Sequence, residues 1–81
     1  MAKMNIMNET GHDVIEWTRP EDKAKDDWTA EDQASVDKAM AAFGQLVADG
    51  NRFVDKDKGE RADTFNPNVR EYTMIPHVVG G

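Results

Sequence analysis

One stretch of this chain constrains all the others: Val36, Met40, Phe43 and Val47 recur at steps of four, three and four residues, and Ala39 and Leu46 widen the same stripe. Apolar residues at that period line one face of an α-helix. Thr29 supplies an N-cap, and Glu31 and Asp32 put carboxylates in the first turn, where the helix dipole favours negative charge. Asp32 stands where Glu or Gln normally reaches back, so the sequence predicts a Thr29 cap with an incomplete capping box. Asp49-Gly50-Asn51 ends the helix, because glycine accepts the left-handed conformation that follows a last turn. About 20 residues rising about 1.5 Å each make a rod of roughly 30 Å. A single helix cannot bury its stripe against itself, and a sheet of four or five strands with one apolar face is its natural cover.

The flanking segments supply such strands. Met4, Ile6 and Met7 precede a polar turn, Asn8-Glu9-Thr10-Gly11, and Asp13-Val14-Ile15-Glu16-Trp17 follows it, which reads as a hairpin. Alternation along the second strand points Ile15 and Trp17 inward, with Val14 and Glu16 on the other face. Pro20 ends that strand, since proline has no N–H for a ladder and restricts the residue before it. Residues 19–28 form a charged loop, read as a solvated connector in preference to an acidic docking patch. Trp28, at its end, is expected to pack under the first turn of the helix, with a partner contact as the alternative.

Beyond the helix, Arg52-Phe53-Val54-Asp55, a turn over Lys56-Asp57-Lys58-Gly59 and a weaker extended stretch from Arg61 to Phe65 predict a second hairpin. Asn66-Pro67 opens another turn. The last strand spans Arg70 to Ile75, with Tyr72 and Met74 on one face and Thr73 and Ile75 on the other, until Pro76 stops it. A hairpin, one long helix, one or two short strands and a final strand together make an α+β, single β-grasp-type domain over residues 1–81. Residues 76–81 form its C-terminal tail.

Size and charge narrow the function. The chain has 81 residues, 38% hydrophobic and 32% charged, which fills one core and leaves a thin stability margin that a partner surface would raise. It has no cysteine, so disulfides, thiolate zinc sites and thiol nucleophiles are excluded together. A formal charge of -6 with scattered Lys and Arg argues against nucleic-acid binding. No segment has the length or apolarity of a bilayer span, so a soluble protein is expected.

No catalytic or metal-binding constellation stands out. His12 and His77 lie far apart beside turns, and Ser35, the only serine, sits mid-helix without a strained nucleophile turn. Asp55-Lys56-Asp57-Lys58-Gly59 has the look of a calcium loop, but its glycine comes one position early and Asn66 stands where a bidentate Glu is required. The expectation is a protein that is not an enzyme and carries no cofactor or metal. The segment Met74-Ile75-Pro76-His77-Val78-Val79-Gly80-Gly81 remains. Two glycines without Cβ can thread a narrow channel as a chemical handle, or an apolar end can dock on a neighbour. Candidate partner-binding residues are therefore Trp28, His77, Val78, Val79, Gly80 and Gly81.

Two resemblances bear on that choice. Met4-Asn5-Ile6, Thr10-Gly11 to Trp17, the central helix, Arg52-Phe53-Val54 and the run from Tyr72 to Gly81 resemble ubiquitin in order and spacing over nearly the whole chain, although His77-Val78-Val79 replaces a basic tail. That likeness implies a modifier or sulfur carrier activated at Gly81. Thr10-Gly11-His12, Ile15-Glu16-Trp17, Phe43 with Leu46-Val47, Phe65-Asn66-Pro67 and Ile75-Pro76-His77-Val78-Val79-Gly80-Gly81 are similar to small diglycine-ending proteins of actinobacterial tailed phages, with Asn66 in place of an aspartate. The second resemblance implies a virion structural or head-assembly accessory made in the host cytoplasm. Its expected partner is the major capsid protein or another virion protein, bound in multiple copies through the sheet edge and the apolar tail.

Overall fold

A computed structural model describes residues 1–8 and 11–76, and the side chain of Asn8 is not among the described features. Strands β1 (Ala2–Asn8) and β2 (Gly11–Trp17) form the first hairpin. Two 3-10 turns, Pro20–Asp22 and Lys25–Asp27, lead into helix α1 (Ala30–Ala48). Strands β3 (Arg52–Asp55), β4 (Glu60–Ala62) and β5 (Glu71–Ile75) complete one five-stranded sheet in the order β2-β1-β5-β3-β4. β1 runs parallel to β5, and the other three pairings are antiparallel. This is a small α+β fold, a hairpin and one helix with a mixed sheet, compatible with a β-grasp-like arrangement.

The predicted strands extend further at the first turn. Asn8 pairs with Gly11, so only residues 9 and 10 connect them. Gly11 has φ +142, a conformation that side-chain-bearing residues rarely adopt, which accounts for glycine at that corner. β4 is shorter than the predicted Arg61–Phe65 stretch. It stops at Ala62, and Phe65 instead turns back onto the core, its ring 5.0 Å from Trp17 in an edge-on contact.

Alternation and helical period meet in that core. Ala2, Met4, Trp17, Phe53, Tyr72 and Met74 come from the sheet, and Val36, Ala39 and Phe43 from the helix. Phe43 stacks on Phe53 at 4.3 Å and meets Tyr72 edge-on at 5.3 Å. The buried polar tips are satisfied: Trp17 Nε1 donates to the Pro67 carbonyl at 2.8 Å, and the Tyr72 hydroxyl accepts from the Asn66 amide at 2.9 Å. Burial away from water favours the neutral phenol and pushes the Tyr72 pKa up, opposed by the backbone hydrogen bond at Asn66.

Met40 does not belong to the buried stripe. It is 50% exposed, whereas Val36, Ala39 and Phe43 are buried and Leu46 and Val47 are partly so. At about 100° per residue, the centre of that set passes on the Ala39 side of Phe43 and leaves Met40 on the flank. Ala39 is fully buried on that side of the helix.

The helix start also differs from expectation. The capping box is complete: Asp32 N donates to Thr29 Oγ1 at 3.2 Å, and Thr29 N donates to Asp32 Oδ2 at 2.9 Å. Aspartate is short, yet it closes the box here. At the other end Gly50 has φ +100, the left-handed geometry that its identity predicted.

Candidate functional site

Helix α1 covers one face of the sheet, so access for a partner lies at the two edges, the opposite face and the connector. β2 and β4 are the edge strands. They are built differently. β4 has only three residues, Glu60-Arg61-Ala62, and charged Lys58 and Asp63 flank it. Its approach is a mixed-charge cleft of about 310 Å³ that includes Lys58, Glu60, Arg61 and Asp63. β2 has seven residues, contains neither Lys, Arg nor Pro, and is exposed from Gly11 to Val14 and at Glu16. Short strands and dense charge discourage pairing with another chain, and a long strand without them leaves its ladder groups available.

β2 is tied to the core and the helix at its far end. Trp17 is fully buried, the Thr18 amide donates to Ser35 Oγ at 3.2 Å, and the Thr18 hydroxyl donates to Asp32 at 2.7 Å. Ser35 in turn donates to the Asp32 carbonyl at 2.7 Å, so the lone serine ties strand to helix. Lys23 Nζ lies 2.7 Å from Asp32 Oδ2. The Lys23 ammonium first, then the Thr29 amide and the Thr18 hydroxyl, hold the Asp32 carboxyl far below the usual carboxylate range.

On the face opposite the helix, register places Val14 beside Asn5, Asn5 beside Thr73 and Thr73 beside Val54. Asn5 Nδ2 donates to Glu71 Oε2 at 2.7 Å, joining β1 to β5 across this face. His12 pairs with Met7, and Glu16 with Lys3. His12 is exposed and shares the outer side of β2 with Val14 and Glu16.

The connector is more structured than its composition predicts. Arg19 is buried and clasps three neighbours: Nε donates to the Asn68 carbonyl at 2.7 Å, Nη1 to Asp22 at 3.0 Å and Nη2 to Glu21 at 3.0 Å. A solvated loop is therefore the wrong description of Arg19, because its guanidinium fork has three acceptors in reach. Trp28 packs against the core as expected. It is half-buried, and its Nε1 donates to Gln33 Oε1 at 3.2 Å, one turn into the helix. With Pro20, Lys23, Lys25 and Gln33 it lines an open cleft of about 370 Å³.

The other predicted partner residues, His77, Val78, Val79, Gly80 and Gly81, lie outside the described residues. The Asp55–Gly59 segment has a structural task. Asp55 is buried, and its Oδ1 accepts from the amides of Asp57 at 2.9 Å and Lys58 at 3.2 Å, while Asp57 Oδ2 accepts from the Arg70 amide at 2.8 Å. Among the described residues, no three His, Cys, Asp or Glu side chains are grouped to hold a metal ion. No helix among them is long and apolar enough to cross a membrane.

The ties of Asp32 to Thr18 and Lys23, and the roles of Asp55 and Arg19, are not read from the sequence alone. A signal existed for Asp55, since Asp followed two residues on by a turn is an Asx-turn pattern. For Arg19 the neighbouring Glu21 and Asp22 were visible, but its Asn68 acceptor, 49 positions away, was not. No protein-family model, curated protein or solved structure matches the chain.

Proposed function

We propose that this chain is a non-enzymatic β-grasp docking module, a structural or head-assembly accessory of a phage virion. In this reading it holds the major capsid protein or another virion protein through the β2 edge and the apolar run His77-Val78-Val79. The observation that carries the docking role is the contrast between the sheet's two rims: β4 is three residues long and hemmed by charge, and β2 is seven residues long and open. Adding a strand to such an edge supplies main-chain hydrogen bonds for affinity and side-chain alternation for register. The β-grasp assignment is supported by the strand order and by the helix between two hairpins. The virion setting rests on the likeness of Thr10-Gly11-His12, Phe65-Asn66-Pro67 and the diglycine segment to actinobacterial phage proteins.

Quantitative mass spectrometry of purified particles tests the proposal. Replacing both Val78 and Val79 with Asp is expected to abolish incorporation, and deleting Gly81 alone to leave it intact. A covalent adduct in the intact mass that vanishes on Gly81 deletion would overturn docking in favour of a modifier or sulfur carrier.

A further inference from the structure

The β2 edge carries side chains that complement a second copy of themselves. Along the outer face of β2 the order is His12, Val14, Glu16, each exposed. An antiparallel copy paired with its centre on Val14 sets His12 opposite the other copy's Glu16, twice by symmetry, and Val14 opposite Val14. An imidazole N–H and a carboxylate are donor and acceptor in either protonation state of histidine. Paired valines are favourable cross-strand neighbours on a pleated surface.

The alternatives are poorer. Centring on Asp13 or Glu16 places like charges directly opposite, which is destabilising. Centring on Ile15 loses both His12–Glu16 contacts and sets Asp13 against Trp17 and Glu16 against Val14, two unmatched carboxylates per copy, whereas centring on Val14 leaves one, Asp13 opposite Ile15. The charge pattern therefore selects one register as well as one edge.

Resting on the reading of β2 as a docking edge, we propose that its occupant is a second copy of this chain, paired antiparallel about Val14. The five strands of each copy then continue into one ten-stranded sheet. A two-fold axis perpendicular to the sheet keeps both α1 helices on one side and leaves an uninterrupted face on the other. β5 ends at Ile75 with β1 lying between it and the paired edge.

Sedimentation equilibrium of the full chain over a concentration series tests the pairing, with amide exchange mapping the contact. The expected result is a reversible dimer with protection over residues 12–16. His12→Asp should weaken it by roughly tenfold, since a favourable pair becomes a repulsive one twice over. Thermal melts check the fold of that variant, whose exposed site pairs with Met7 across the hairpin. Mixing His12→Asp with Glu16→Lys should associate better than either alone, because one contact then sets the introduced Asp against the introduced Lys and the other keeps the original His12–Glu16 pair. A monomer at every concentration, or a dimer indifferent to both substitutions, would overturn the proposal. If the monomer nevertheless gains protection over 11–17 when incorporated into a particle, self-pairing falls and β2 docking stands; if no protection appears in either state, both fall.

Discussion

The two edges of the sheet solve one problem in opposite ways. β4 is spent on its own hairpin: Asp55 ties down the Asp57 and Lys58 amides, Gly59 N donates to the Asp55 carbonyl at 2.7 Å, and charge surrounds the short strand. β2 is tied into the core most firmly at its Trp17 end, and its exposed length carries a histidine, a valine and a glutamate on one side. The lesson is that an open edge in a small domain needs strong anchorage elsewhere, and Trp17, Thr18 and Ser35 supply it.

The contrast is broken most completely by removing that anchor. Trp17→Ala is expected to cost about 3–5 kcal/mol, from lost burial and the cavity left beside Phe65 and Tyr72, read as a fall in the urea midpoint. Asp55→Ala attacks the other edge by stranding two turn amides, at about 1–3 kcal/mol, with amide exchange accelerating over β3 and β4 and not over β2. Thr29→Ala should cost about 1 kcal/mol by removing half of the capping box.

Titration sharpens the comparison further. Asp32 is held ionised by Lys23, Thr29 and Thr18, so its folded pKa lies below the unfolded value of about 3.9. Its contribution is therefore complete above about pH 4 and is lost as pH falls below that, and Asp32→Asn should flatten the acid limb of a stability curve. Tyr72 has the reverse sign: its pKa is raised, so its contribution is complete below about pH 10 and is lost as pH rises beyond. The smallest effect belongs to Arg61→Ala, at about 0–0.5 kcal/mol, because its 3.3 Å pair with Asp63 is exposed on both sides.

Local signals carried much of this architecture. Thr29 and Gly50 marked the helix ends, and alternation in β5 assigned Tyr72 and Met74 to the core, because caps and period-two patterning depend on neighbours in sequence. Met40 was misplaced for a tertiary reason: which side of the apolar stripe faces the sheet is set by packing, and the buried set centres between Ala39 and Phe43 with Met40 on the flank. Aspartate at position 32 gave only half its role, since three of its contacts come from Thr18, Lys23 and Thr29 on different segments. The candidate site was legible as a sheet edge and not as β2 in particular. Which strand lies at the rim depends on β5 inserting between β1 and β3, a choice no short window of sequence encodes.

That insertion also sets a schedule for the chain. Asn5 meets Glu71 across 66 positions, and the parallel β1–β5 ladder is the seam on which both hairpins close. Loop closure of that span must precede any reward from the seam, which places this small domain among slower folders for its size. On the ribosome the first hairpin emerges with Met4 and Trp17 uncovered and waits until nearly the whole chain has been made. During that interval the same open strand that suits β2 for assembly is a hazard to the nascent chain.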